Sequence, residues 1–142
     1  MSEFEGCIRQ GRLVRFRASP AMVEKELKGA QHDLKSARAS REHGDDKWAS
    51  VQAYYSMFHC AKALVLANGY REKSHLCLVV ALRELYVKEG TLDERVAGDF
   101  ELVMNLRHEA DYGLAFSRDG ARLAIEMAER MLGATKHLLD DK

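Results

Sequence analysis

A polar stripe runs through the most apolar stretch of the chain. Gln52, Ser56 and His59 recur at four- and three-residue steps within VQAYYSMFHCAKALVLA, residues 51–67, and so share one face of a helix. A serine and a histidine side by side bring a hydroxyl and a titratable ring nitrogen, the materials of proton transfer or ligand binding. Burying either without a partner costs roughly 1–3 kcal/mol, so the stripe either faces a crevice or is hydrogen-bonded between helices. The sequence shows no third group that would orient the base. A second candidate is LRHEADYG, residues 106–113, in which Arg107 and Asp111 stand one helical turn apart. An arginine there can hold a phosphate in a two-pronged geometry, with Asp111 fixing the guanidinium and Tyr112 adding a ring or a hydroxyl. The structural alternative is an exposed ion pair contributing about 0–1 kcal/mol.

Positive charge gathers in two further places: Arg9, Arg12, Arg15 and Arg17, and a smaller group of Arg71, Lys73 and His75. Either group can meet phosphate or be ordinary solvated charge, and neither has the interleaved aromatics of a single-strand binding track. Six histidines are present, but no helical H-x-x-x-H and no clustered Cys and His spacing, so no metal centre is expected. Phosphate-loop, dinucleotide-binding and nucleophile-elbow strings do not occur, and no cofactor is expected either.

The elements that must carry these residues read as helices. One proline, 8% aromatics and 46% hydrophobic residues in 142 argue against a β-sandwich and for a single all-α domain. Val23, Leu27, Ala30, Leu34 and Ala37 predict a first helix over 21–41, opened by Ser19-Pro20 and ended at Gly44. Asp45 or Asp46 caps a second over 46–68, apolar almost all round and therefore central. Ser74 caps a third that ends at Gly90, Asp93 a fourth that carries Arg107, and Ser117 or Asp119 a fifth. Short connections make this an up-and-down bundle of about five helices over 21–140, with residues 1–20 a short helix or an arm. Twenty-two basic and twenty-two acidic residues balance overall, with a mild positive excess before Gly44, so polyanion binding would have to be local. Cys7, Cys60 and Cys77 are too few and scattered for a disulfide framework. With no signal-peptide pattern and no run of eighteen apolar residues, they predict a reducing, cytoplasmic setting and no membrane span.

YYSMFHCAKALVLANGY, KSH at 73–75 and LRHEADYG, with VEKELKGAQHDLKSA ahead of them, resemble a HEPN domain over roughly residues 10–140. The resemblance implies a helical bundle, a homodimer, and pairing with a minimal nucleotidyltransferase in a toxin–antitoxin module. Catalytic members are metal-independent endoribonucleases carrying an arginine, a polar neighbour and, a few residues on, a histidine. Arg107 matches the arginine and His108 the neighbour, but Tyr112, Gly113 and Leu114 stand where the histidine is expected. The resemblance therefore implies nucleotide or RNA binding without cleavage, through Arg107, Asp111 and Tyr112 with Ser56, His59, Lys73 and His75 as further ligand-binding candidates. Two alternatives stay open: cleavage using His59 or His108 as an atypical base, and a protein-interaction module.

Overall fold

The computed structural model describes residues 1–110 and 117–140. The elements run α1 (Glu3–Arg9), β1 (Leu13–Arg15), α2 (Pro20–Glu42), α3 (Asp46–Ala67), β2 (Tyr70–Glu72), α4 (His75–Leu82), a π-helical turn (Arg83–Val87), α5 (Glu94–Ala110) and α6 (Arg118–Asp140). Ser19 accepts a hydrogen bond from the Met22 amide at the start of α2, with Pro20 in the first turn. Asp45 does the same for Trp48 at the start of α3, and Ser74 for Cys77 at the start of α4. Each satisfies an amide that a helix start leaves without an internal partner.

The apolar circumference of α3 places it at the centre, packed by α2, α6, α4, α5 and β2. Alanines at the seams bring the backbones close: Ala30 and Ala37 on α2, Ala49, Ala53 and Ala61 on α3, Ala121 and Ala128 on α6 are all fully buried. Tyr54, Met57, Leu64, Leu78, Leu82, Phe100 and Met131 fill the space between. The all-α bundle is the architecture expected, and the 46–68 helix is its core element.

One expectation is corrected and two are refined. The third helix runs without a break towards Gly90, but after α4 it widens into the π-helical turn, where the Lys88 amide reaches back to the Arg83 carbonyl at 2.8 Å. Residues 1–20, expected as a short helix or an arm, form both α1 and a strand, which pairs antiparallel with β2. A positive φ at Gly69 turns the chain from α3 into β2, and its carbonyl accepts from the Phe16 amide at 2.9 Å. Finally, Cys7 and Cys77 form a disulfide, both half-cystines buried. Their separation of 70 residues hid the pairing. The reducing setting was read from unpaired cysteines, and the bridge removes that support. Cys60 remains a buried thiol, its pKa pushed up to about 12 by burial. Among the described residues, no helix is long and apolar enough to cross a membrane.

Closing so long a loop should stabilise the bundle by about 2–4 kcal/mol. Reduction with dithiothreitol, or Cys7→Ser, is expected to lower the urea midpoint accordingly; an unchanged midpoint would show that the bridge contributes nothing.

Candidate functional site

The structure splits the candidate residues between two sides of α3. On the side facing α2, Ser56 is fully buried and donates to the Ala30 carbonyl at 2.8 Å. His59 lies between two carboxylates of α2, with Nδ1 2.6 Å from Glu26 Oε2 and Nε2 3.4 Å from Asp33 Oδ2. Lys62 adds a cation 3.8 Å from Glu26. Gly29 makes the arrangement sterically workable, because a Cβ there would stand 3.3 Å from the imidazole. Burial raises the pKa of Asp33, partly offset by His59 and His32. The third group that the sequence did not reveal is thus present twice, as Glu26 and Asp33, seven residues apart on one face of α2. Gln52 completes the stripe beside Ser40 at 2.7 Å. The stripe ties α2 to α3 and does not converge with Arg107.

The other side of α3 is aromatic. Arg107, in the last turn of α5, donates from Nη2 to the Tyr55 hydroxyl at 2.9 Å. Its guanidinium carbon lies 5.1 Å from the Tyr55 ring centre and 5.5 Å from that of Tyr54. Cation–π attraction of this kind orients the guanidinium plane while leaving its charge in place. Tyr54 is almost wholly buried and stacks with Phe58 and Phe100. Its hydroxyl lies 3.4 Å from His75 Nδ1, and the His75 ring packs 4.9 Å from that of Phe58. Burial pushes the Tyr54 pKa up to about 12, against the opposing pull of Arg107.

Arg107 and His75, 32 positions apart in the chain, therefore meet the same tyrosine, one over its ring and the other at its hydroxyl. Lys73 is exposed on the way from β2 into α4. Asp111 and Tyr112 lie outside the described residues, as does the side chain of His108. Tyr54, Tyr55 and Phe58 were missed as site residues. Their signal was the Tyr-Tyr pair one turn before Phe58, on the central helix.

Among the described residues, six helices with an apolar one at the centre, and an arginine seated on its aromatic flank, make this an all-α bundle of the HEPN type. The chain belongs to the HEPN domain family, which matches residues 23–138. It is similar to a UPF0332 protein of Pyrococcus horikoshii, 35% identical over 74 residues, 52% of each chain. A Methanocaldococcus jannaschii protein named "Putative toxin" is 32% identical over 83 residues, 58% of this chain and 62% of that one. A UPF0332 protein of Archaeoglobus fulgidus is 28% identical over 120 residues, 83% of this chain and 95% of the other. The match thus spans little more than half the length of the first two relatives and nearly all of the third.

Tyr54 and Tyr86 share a raised pKa of about 12, caused in both by burial. Because the proton-bound form is the one the fold favours, their stabilisation is intact below pH 10 and is lost as pH rises towards 12. Absorbance titration at alkaline pH should show two late-ionising tyrosines, and Tyr54→Phe should remove one; unchanged titration in that variant would contradict the burial.

Proposed function

We propose that this HEPN protein binds the phosphate of a nucleotide or RNA at Arg107, in a cleft completed by a second copy of the chain. In this reading it is the toxin-like member of a cytoplasmic pair with a minimal nucleotidyltransferase. The observation that carries the proposal is the meeting of Arg107 and His75 on Tyr54. A guanidinium set by a hydroxyl and two aromatic faces is pre-oriented for an incoming anion, so less conformational entropy is lost on binding. The partly exposed Tyr55 ring beside it offers a surface on which a base can stack. Exposed Leu102 and Leu106, one turn apart on α5 just before Arg107, support a second copy docking at this end. The toxin reading is supported by family membership and by the name of the Methanocaldococcus relative.

Arg107→Ala should weaken binding of a nucleotide or short RNA by roughly ten- to a hundredfold, the equivalent of about 1.5–3 kcal/mol for a charge-assisted hydrogen bond. Calorimetry on the folded variant decides it, and equal affinity in both proteins would sink the proposal.

A second reading, metal-independent cleavage, is favoured by one placement. Attack by a ribose 2′-hydroxyl on the adjacent phosphate breaks the P–O5′ bond and leaves a 2′,3′-cyclic phosphate; it needs a group that takes the 2′ proton and one that protonates the departing 5′-oxygen, and His75 stands where His59 does not: beside the tyrosine that Arg107 meets. RNA cleavage in EDTA that vanishes in both His75→Ala and Arg107→Ala, and survives in His59→Ala, is the expected pattern for it. Loss in His59→Ala alone would assign the base to the α2 side instead.

A further inference from the structure

We propose that the ribbon formed by β1 and β2 is a binding track for the phosphates of single-stranded RNA, leading into the Arg107 and His75 cluster. This rests on the RNA reading of Arg107 given above and extends it from one phosphate to a strand.

The register brings together two cation groups that lie far apart in the sequence. Leu13 pairs with Glu72, Val14 with Arg71 and Arg15 with Tyr70. The Lys73 amide donates to the Arg12 carbonyl at 2.8 Å, which extends the ladder so that Arg12 stands opposite Lys73. Strand alternation then puts Leu13, Arg15, Tyr70 and Glu72 on one face and Arg12, Val14, Arg71 and Lys73 on the other. Leu13 and Tyr70 are buried, whereas Arg12, Arg71 and Lys73 are exposed. Like charges opposite one another destabilise a strand pair, and the one acid of these strands, Glu72, lies on the inner face with Lys62 as its nearest positive influence.

Among the described residues, five arginines elsewhere are neutralised by acids, while Arg41 and Arg95 are not. Arg38, Arg83, Arg118, Arg122 and Arg130 each meet a carboxylate within 3.4 Å. Among the described residues, Arg9, Arg12, Arg15, Arg17, Arg71 and Lys73 form no such pair. Two of them instead lie over rings: Arg15 5.4 Å from the centre of Tyr70, and Arg71 5.4 Å from that of Phe16. Stacking holds a guanidinium in place and keeps its hydrogen-bonding edge for phosphate. Arg71 and Lys73, two residues apart, are spaced by about 7 Å along the strand, the scale of one nucleotide step. The disulfide fixes the arm carrying four of these arginines to the first turn of α4. Two residues beyond Lys73, His75 meets Phe58 and Tyr54, and Tyr54 meets Arg107. Exposed cations at the spacing of one nucleotide step, with a ring beside Arg71 and with His75 two residues further on, are why we assign the ribbon to a nucleic-acid strand and not to an anionic bilayer.

The test is fluorescence anisotropy of the oxidised protein with a labelled oligouridylate of about a dozen nucleotides, titrated between about 50 and 200 mM KCl. Each phosphate contact removed takes about 0.7 off the slope of log K against log salt for a single strand. Arg12→Gln/Arg71→Gln/Lys73→Gln is expected to flatten the slope by about 2 and to weaken low-salt binding by roughly tenfold or more, with the thermal melt unchanged. Unaltered affinity and slope in the triple variant overturn the ribbon, as does binding of phosphatidylserine vesicles by a wild type that ignores the oligonucleotide. If Arg107→Ala has no effect while the triple variant does, the ribbon stands and the Arg107 reading fails. The reverse pattern removes the ribbon alone.

Discussion

Burial of α3 on almost every side is the constraint from which the rest of the structure follows. Ala49, Ala53 and Ala61 let neighbouring backbones close on it, and Tyr54, Met57 and Leu64 fill the remaining space. A helix so enclosed can carry polar groups only where each finds a partner. Ser56 reaches the Ala30 carbonyl, and His59 is met by acids from α2. What remains of its circumference is the flank bearing Tyr55 and Phe58, and there Arg107 and His75 arrive.

The two sides of α3 illustrate how one helix can separate cohesion from chemistry. On the α2 side, charge is matched at short range: the imidazole has a carboxylate at each nitrogen, and Lys62 lies near one of them. On the aromatic side, the arginine is oriented by rings and a phenol. Placement by two rings and a phenol suits recognition, because a guanidinium that is already oriented gives up less freedom when a phosphate arrives.

Much of the fold was legible because it is written in local patterns. The spacing of Ala30, Leu34 and Ala37, the caps Ser19, Asp45 and Ser74, and the apolar continuity of residues 51–67 fix helices without reference to distant parts of the chain. The β1–β2 pair and the Cys7–Cys77 bridge depend on residues far apart in sequence, and three-residue strands carry too little alternation to be read. The site was legible in part. Arg107 and His75 could be named from their types, but their shared tyrosine follows only from how α4 and α5 approach α3. His59 looked unoriented because Glu26 and Asp33 belong to another helix.

The placement of the bridge also orders events during synthesis. Residues 1–15 leave the ribosome before α2 and α3, yet the strand and the sulfur that hold them are made only after those helices are complete. Local helices form without delay, while a closure spanning 70 residues must wait for its far end. The segment ahead of α2 is thus sealed onto the bundle only after the helical hairpin behind it has emerged.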